Sequence, residues 1–345
     1  MDIEREIERR YRLQVEYLGS DKPVNKVEPL VTVRTSTYQH VDYIEDCIKG
    51  VLVQKTTFPF EFIIGEDGST DGTRTICEEY ARNYPDKIRL FNRDRKLTQL
   101  YDKKGNFIKR LNGHFTIRSS RGKYMAICEG DDYWTDPYKL QKQVDFLEKN
   151  QDYGLVFGNF HCVDSNGTIT ECSDYFKSMP IKTNINGYMF PEYFENKFVI
   201  HYLTVMLRSS YLKNDYYKKN KYGYDVAHLR YILFHAKIYK FDEVFGCYRN
   251  TEKSLTKTNS FSKLVKKSYL ESFAYFSRLE YKPNDLGKKI ALFRRALGLF
   301  LSRGFNVNER FFLLSIGARN FPGITIFFDI LSRNYCKHLI RGNKT

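Results

Sequence analysis

Three carboxylates lie within four residues in the sequence EGDDYW at positions 129–134, directly after the apolar run YMAIC at positions 124–128. Like charges this close repel one another unless a cation joins them. Carboxylate oxygens at this spacing suit Mg²⁺ or Mn²⁺, and either ion would in turn attract a diphosphate. A solvated acidic turn is the plainer interpretation of such a cluster. The residues therefore indicate a divalent-metal site, with a solvated turn as the alternative.

Two further polar turns follow apolar runs, and they favour the metal interpretation. The sequence EDGSTDG at positions 66–72 follows FIIG at 62–65, and TSTY at 35–38 follows the run that begins at Leu30. Ligands of open α/β sheets bind in the crevice outside the carboxyl ends of the strands. We therefore expect the three turns to converge on one ligand site, to which two of them bring acidic groups.

Strands and helices alternate regularly from residue 30 onward, and these elements must position the turns. We predict strands at 30–34, 61–65, 87–91, 124–128 and 155–160, helices at 41–54, 71–84, 115–120 and 139–149, and a long polar segment up to residue 112. A helix at 223–236 and strands at 237–241 and 244–249 follow. This alternation predicts βαβ units and a mostly parallel sheet with helices on its faces.

A glycine-rich phosphate loop is not expected in this chain. A dinucleotide-binding Rossmann protein carries Gly-x-Gly-x-x-Gly after its first strand, whereas this chain has TSTYQ at 35–39. A P-loop sequence is also missing. A metal ion and side chains would then have to hold the phosphates.

The motifs, taken together and in this order, resemble those of family 2 glycosyltransferases. The resemblance rests on VTVRTSTY at 31–38, on GEDGSTDGT at 65–73, and on RGKY at 121–124 leading into EGDDYW at 129–134. It covers residues 29–255. It implies an inverting enzyme of the GT-A fold, with a mostly parallel Rossmann-like sheet flanked by helices, that uses a nucleotide-sugar donor.

The resemblance implies roles for residues on the donor side. Thr35, Thr37 and Asp67 are expected to line the nucleotide-sugar pocket, where Asp67 would accept a hydrogen bond from the base. Glu129 stands at the first acidic position of the family's Asp-x-Asp element, where it would contact the ribose. Asp131 is the expected metal ligand.

Further side chains surround this expected donor site. Asp132 is the alternative or supporting ligand of the Mn²⁺ or Mg²⁺ cofactor. Arg121 and Lys123 would steady the diphosphate, although surface charges beside a strand are an equally good interpretation of both. Trp134, the single tryptophan, is expected to pack under the metal loop rather than to stack on a sugar. Asp71 is expected to cap the helix that follows its turn.

The second half of the chain supplies the acceptor side by the same resemblance. Asp225 stands at the position of the general base that deprotonates the acceptor hydroxyl. The alternative for this carboxylate is a favourable contact with the helix dipole. Thr251 stands where the family has a histidine that contacts metal or phosphate. His201 and His228 are candidate substitutes, although a lone histidine is more often structural.

The positive charge of the chain is concentrated near its C-terminus. The net charge is +15, and residues 256–345 carry 17 Lys/Arg against 5 Asp/Glu. No sequence resembles a nucleic-acid-reading motif, so nucleic acid is not an expected partner. We expect a small helical subdomain here. The alternative is a basic amphipathic surface that lies on the anionic cytoplasmic leaflet, where a lipid-linked acceptor would be found.

The cysteines and the N-terminus bear on the compartment. The seven cysteines are scattered and never spaced Cys-x-x-Cys, which favours a reducing cytoplasm and argues against a disulfide framework or a structural zinc site. The charged N-terminus has no signal-peptide pattern, and no apolar stretch approaches the roughly 18–20 residues that span a bilayer. We therefore expect a cytoplasmic protein, peripheral at most at the inner face of the cell membrane.

Three regions are expected along the chain. They are an N-terminal helical arm at 1–28, a catalytic domain at 29–255 with a donor half at 29–167 and an acceptor half at 168–255, and the basic helical region at 256–345. Ile3, Ile7 and Tyr11 share one face of the arm. That face is expected to dock on the arm's own domain, with an oligomer contact as the alternative.

The prediction from the sequence is an inverting, metal-dependent glycosyltransferase. It would move a sugar from a nucleotide sugar, with UDP-sugars favoured, to a hydroxyl of a glycan or lipid-linked acceptor in bacterial surface polysaccharide synthesis. The alternative from another class is a non-catalytic protein that binds sugar nucleotides or glycans. A nucleotidyltransferase on a related sheet is a further alternative, although it should carry a glycine-rich first loop.

Overall fold

The computed structural model describes residues 3–101, 105, 107–172, 200–213, 228–229, 231–232 and 235–251. Asp225 and most of the helix predicted at 223–236 lie outside the described residues. The basic region at 256–345 lies outside them as well.

The described residues form eleven strands and six α-helices. The strands are β1 (Val31–Thr37), β2 (Phe60–Glu66), β3 (Ile88–Asn92), β4 (Gln99–Tyr101), β5 (Phe107–Arg110), β6 (Tyr124–Ile127), β7 (Tyr133–Trp134), β8 (Tyr153–Val163), β9 (Ile169–Thr170), β10 (Met206–Arg208) and β11 (Lys237–Arg249). The helices are α1 (Ile3–Arg12), α2 (Ile44–Leu52), α3 (Thr73–Asn83), α4 (Arg95–Thr98), α5 (Asn112–Ser119) and α6 (Lys139–Lys149).

A mixed, mostly parallel sheet of nine strands organises these elements. Its order is β3-β2-β1-β6-β10-β8-β11-β7, with β9 beside β8. Strands β3, β2, β1 and β6 run parallel, as do β8 and β11. Strand β10 is antiparallel to both β6 and β8 and joins the two parallel groups. This is the flanked Rossmann-like sheet expected from the sequence.

Both faces of the parallel strands are covered, which explains why their sequences are continuous apolar runs. Val31 and Val33 of β1 pack in one hydrophobic core with residues of α2, α3 and α6. Helix α5 lies on the opposite face. Its Gly113 is close to Arg34 of β1: a Cβ built on this glycine would be 3.5 Å from Nη1 of Arg34. Alternate side chains of β1 therefore reach opposite layers.

Element boundaries agree with the sequence prediction where the periodicity is strong. Helix α6 occupies the predicted residues 139–149. The strands predicted at 237–241 and 244–249 are one strand, β11, whose pairing with β8 shifts register between Lys240 and Val244. The predicted polar segment contains α4 and the antiparallel pair β4–β5. Asp94 caps α4 by accepting a hydrogen bond from the Lys96 N–H at 2.8 Å.

Helix α1 packs against its own domain, as expected. Ile7 is buried in a cluster with Leu100, Leu111 and Phe115. The Tyr11 ring meets the Phe115 ring edge-on, at 5.5 Å between centroids. The apolar face of the arm therefore covers the β4–β5 pair and α5.

The cysteine spacing argues against a disulfide framework, and the structure nevertheless contains one disulfide. Cys162 in β8 is joined to Cys172, ten residues further along the chain. Scattered spacing did not reveal the pair because strand β9 turns back on β8 and brings the two residues together. The other cysteines of the described residues are free and buried. No described helix is both long enough and apolar enough to cross a membrane.

Candidate functional site

The three polar turns meet at the carboxyl edge of the parallel strands, as predicted. The Ser36 N–H donates to Oε2 of Glu129 at 2.9 Å, and the Gly130 N–H donates to the Ser36 carbonyl at 3.2 Å. The Asp67 N–H donates to the Thr37 carbonyl at 3.0 Å. The first turn therefore holds both acidic turns beside it.

The second turn is fastened to the segment that follows β1. The Thr70 N–H donates to Oε1 of Gln39 at 2.7 Å. Asp71 accepts hydrogen bonds from the N–H groups of Thr73 and Val41, at 3.0 and 3.1 Å. The N-cap residue of α3 is Gly72, which has no side chain, so Asp71 does not occupy the cap position expected for it. Its carboxylate instead accepts from the N–H of Thr73, the first residue of the helix, from one position before the cap.

Both predicted threonines lie under the acidic turn. Thr35 is fully buried, and its hydroxyl donates to the Cys128 carbonyl at 2.6 Å, so it ties β1 to the end of β6. Thr37 lies against Gly130, because a Cβ on that glycine would come 2.6 Å from Oγ1 of Thr37. Only a glycine fits between the two turns without displacing Thr37.

Glu129 is held by an arginine that the sequence reasoning missed. Nη1 of Arg34 lies 2.8 Å from Oε1 of Glu129, and the same nitrogen donates to Oγ of Ser36 at 3.2 Å. The Arg34 side chain is 5% exposed and that of Glu129 is 35% exposed. An arginine within the apolar strand sequence VTVRT was the available signal, since a buried cation needs a partner.

Asp132 turns into the protein. Its Oδ1 accepts a hydrogen bond from the Arg249 N–H at 2.9 Å. Burial, and secondarily the charge of Asp131, raises the pKa of Asp132 well above its ordinary value. Asp131 contacts Arg249 through its backbone: the Asp131 carbonyl accepts a hydrogen bond from Nε of Arg249 at 3.1 Å. Among the described residues, that contact leaves the half-buried Asp131 carboxylate available to a ligand.

Arg249 closes the acidic turn from the last described strand. Its Nη2 lies 2.8 Å from Oδ2 of Asp46 in α2, and its Nη1 donates to the Ser165 carbonyl at 3.0 Å. The guanidinium also lies over the rings of Tyr43 and Tyr133. No role was predicted for this arginine from the sequence.

Asp67 is buried and engaged by α4. Its Oδ2 lies 3.0 Å from Nη1 of Arg95, and its Oδ1 accepts from the Thr98 hydroxyl. Burial raises the pKa of Asp67. The hydrogen bond from Thr98 and the charge of Arg95 lower it and offset part of this rise. The Arg95 guanidinium lies 3.3 Å from the centroid of the Tyr38 ring. Tyr38 and Arg95 are thus part of the same cluster, although neither was predicted as a site residue.

The structure does not bring Arg121 or Lys123 to this edge. Nε of Arg121 lies 2.8 Å from Oε2 of Glu61 near the start of β2, and its guanidinium donates to the Val24 and Asn25 carbonyls. Lys123 pairs with Glu148 at 2.7 Å. Both residues precede β6 and therefore lie at the amino end of a parallel strand. The direction of β6 therefore places both residues at the edge of the sheet opposite the acidic turn, contrary to the expectation that they steady the diphosphate.

Trp134 packs beneath the acidic turn, as predicted. Its Nε1 donates to the Leu203 carbonyl at 2.8 Å, and Nζ of Lys139 lies 4.1 Å from its ring centroid. Lys139 is buried and donates to Oε1 of Gln143 at 2.8 Å. Burial lowers the pKa of Lys139 to about 7.

Of the two candidate histidines, His228 is buried and His201 is half-buried. His201 packs between the rings of Phe160 and Tyr248, and burial lowers its pKa to about 4. Nδ1 of His228 lies 3.2 Å from the Tyr202 hydroxyl, and burial lowers the pKa of His228 to about 3. These surroundings favour structural roles for both.

Metal ligation at this edge depends on the acidic turn. Within the described ranges, no group of three or more His, Cys, Asp or Glu side chains is arranged to hold a metal ion. The hard oxygen of Asp131 suits Mg²⁺ or Mn²⁺, and such ions keep several water or phosphate ligands. Asp131 therefore fits as a protein ligand of a metal that is shared with a diphosphate.

Comparisons with known proteins agree with this geometry. The model of glycosyl transferase family 2 matches residues 32–214. TuaG of Bacillus subtilis, a glycosyltransferase named for teichuronic acid biosynthesis, is 35% identical over 141 residues, which cover 41% of this chain and 50% of TuaG. The uncharacterized protein Rv1520 of Mycobacterium tuberculosis is 37% identical over 127 residues, which cover 37% of this chain and 34% of the relative. The chain thus spans half or less of the length of these two relatives.

A solved structure shares the fold. The crystal structure of S. aureus TarS 1-349 in complex with UDP superposes with a TM-score of 0.51 at 18% identity, covering 86% of this chain and 82% of that chain. The family model matches more than half of the residues, and the three family motifs meet at one edge of a GT-A sheet. The chain belongs to glycosyl transferase family 2.

Proposed function

We propose that the protein transfers a sugar from a nucleoside-diphosphate sugar to a hydroxyl of a glycan or lipid-linked acceptor, with inversion at the anomeric carbon. The observation that carries this proposal is the meeting of the three turns at one sheet edge. In the described part of the chain, Glu129 and Asp132 are engaged there by Arg34 and by the Arg249 backbone, and the Asp131 carboxylate remains available.

The donor base would bind between the first and second turns. The ring of Tyr38 offers a flat face, and aromatic faces stack nucleobases. The Asp67 carboxylate lies in the same cluster and can accept a hydrogen bond from a base N–H. UDP is the favoured nucleotide, because the TarS structure that shares this fold was solved with UDP. Glu129 would lie along the ribose, and the buried Thr37 would support the acidic turn from beneath.

The diphosphate would lie at the acidic turn. Asp131 would hold Mn²⁺ or Mg²⁺, with Asp132 as a supporting carboxylate behind it. A divalent ion, when bound, neutralises charge on the leaving diphosphate. Arg249 and Arg34 position the turn through contacts that do not occupy the Asp131 carboxylate.

The acceptor side rests on Asp225, which lies outside the described residues. Asp225 would take the proton of the acceptor hydroxyl while the oxygen of that hydroxyl forms a bond to the anomeric carbon. The bond from that carbon to the diphosphate oxygen breaks, and its electron pair leaves with the nucleoside diphosphate. Attack opposite the leaving group inverts the anomeric carbon.

One relative and the charge distribution support a proposal for the cellular role. The name of TuaG supports synthesis of a bacterial surface polysaccharide. The 17 Lys/Arg of residues 256–345 would attract the anionic inner face of the cell membrane, where lipid-linked acceptors are found. We infer a cytoplasmic protein that contacts this face peripherally.

Nucleotide binding with and without metal tests the proposal. Titration calorimetry with UDP, GDP and dTDP should show binding that Mn²⁺ or Mg²⁺ strengthens. Asp131→Asn should remove the strengthening and leave thermal unfolding unchanged. Glu148→Gln is the matched control, because this carboxylate pairs with Lys123 at the opposite edge. Equal metal dependence in wild type and Asp131→Asn would refute the assignment.

A further inference from the structure

The Arg95 guanidinium covers the aromatic face that the first turn offers. It lies 3.3 Å from the centroid of the Tyr38 ring, and its Nη1 lies 3.0 Å from Oδ2 of Asp67. The other carboxylate oxygen of Asp67 accepts from the Thr98 hydroxyl. Helix α4 therefore contacts both groups that the proposed function assigns to base recognition.

The backbone of Arg95 is closely packed while its side chain reaches solvent. Gly68 has φ +80°, and a Cβ there would come 3.1 Å from the Arg95 nitrogen. The Asp94 cap fixes the start of α4. The Arg95 side chain is 23% exposed, whereas that of Asp67 is 5% exposed. The guanidinium can therefore move outward without displacing the backbone that carries it.

We propose that Arg95 occupies the base position on Tyr38 in the free protein and leaves it when a nucleotide binds. This inference rests on the proposed function. A guanidinium is planar and stacks on an aromatic face much as a nucleobase does. Two planar groups cannot occupy one face together, so the base must displace Arg95. The displacement also frees an Asp67 oxygen to accept from the base.

Arg95 therefore competes with the donor and weakens nucleotide binding. Its loss should raise affinity for every nucleotide that stacks on Tyr38, because the contact that must be broken is the same for each base. Arg95→Ala should bind UDP about threefold to thirtyfold more tightly than wild type, the range of a partly exposed cation–π contact. GDP affinity should rise by a similar factor.

Titration calorimetry at fixed Mn²⁺ concentration measures the effect on the full chain. Arg95→Lys keeps a positive charge near Asp67 but loses the planar group, so its gain should be smaller than that of Arg95→Ala. Arg118→Ala is the matched control. Arg118 also stacks on a tyrosine, at 3.9 Å from the Tyr11 centroid, and pairs with Glu8 at 2.6 Å, but it lies at the arm. UDP affinity should be unchanged in this variant.

The outcomes separate this inference from the proposed function. Unchanged or weaker UDP binding in Arg95→Ala, with wild type binding normally, would overturn the role of Arg95 and leave the donor site in place. An equal gain in Arg118→Ala would also overturn it, by showing that the effect does not arise at Tyr38. Absence of UDP, GDP and dTDP binding in wild type and Arg95→Ala alike would reject the nucleotide site and the inference with it.

Discussion

Nη1 of Arg34 lies 2.8 Å from Oε1 of Glu129 and joins the middle of β1 to the acidic turn after β6. The family carries an aspartate at the first acidic position. The longer glutamate at this position in the chain pairs with the buried guanidinium of Arg34. The pair fixes the turn and balances a charge that burial would otherwise penalise.

Loss of this partner should destabilise the fold. Arg34→Met leaves Glu129 without its cation, and we expect a loss of about 1–3 kcal/mol in the free energy of unfolding, measured by urea denaturation. Glu129→Gln should cost at least as much, because it removes a counter-charge from the Arg34 guanidinium, which is the more deeply buried partner. Lys26→Ala is the control, since it removes an exposed pair with Asp21 and should change stability little. Equal losses in Arg34→Met and Lys26→Ala would contradict the structural role of Arg34.

Base recognition by Asp67 predicts a defect that does not require metal. Asp67→Ala should weaken UDP binding both with and without Mn²⁺, because the lost hydrogen bond is to the base and not to the diphosphate. Calorimetric titrations under the two conditions provide the test. If the loss occurs only with Mn²⁺ present, Asp67 belongs to the phosphate site instead.

If Asp225 is the general base, its loss should affect turnover and not donor binding. Asp225→Asn should leave donor affinity nearly unchanged and lower kcat by about 10²- to 10⁴-fold, the usual contribution of a positioned base. Steady-state rates and UDP titrations on the same preparation measure both quantities. Near-normal turnover would place the base on another carboxylate, and a parallel loss of donor affinity would place Asp225 in the donor site.

Burial of Lys139 predicts a pH dependence of stability. Its pKa falls to about 7 in the folded protein, whereas an unfolded lysine has a pKa of about 10.4. Between these values the unfolded chain binds more protons, so the Lys139 contribution to stability improves as pH rises from about 7 to about 10. Urea denaturation should therefore show that the free energy of unfolding of wild type, relative to that of Lys139→Met, is larger at pH 9 than at pH 7. The exposed Lys55→Met controls for loss of a lysine, and a pH-independent difference for Lys139→Met would contradict the prediction.

The sequence predicted those parts of the site that lie next to strands in the chain. The turns after β1, β2 and β6 each follow an apolar run, and strand direction places them at one edge. Arg121 also lies beside β6 but precedes it, and this order alone puts it at the opposite edge. The misplacement of Arg121 was thus avoidable from the sequence.

Other parts of the site depend on long-range packing. The pairs of Arg34 with Glu129 and of Arg249 with Asp132 join residues 95 and 117 positions apart, and no local periodicity encodes such contacts. Helix α4 is a single turn within a polar segment, so its apolar pattern is too short to recognise. Arg95 was overlooked for the same reason.

The clamp of Arg249 on the acidic turn also sets an order of assembly. Asp132 is synthesised well before Arg249. The buried Asp132 carboxyl can therefore accept its hydrogen bond from the Arg249 N–H only after β11 has been synthesised and has folded. Such non-local contacts form late, because loop closure precedes them. The family match ends at residue 214, before this strand. A fragment cut at that boundary would contain the acidic sequence without the residue that shapes it, and the smallest fragment that keeps this contact extends to residue 249.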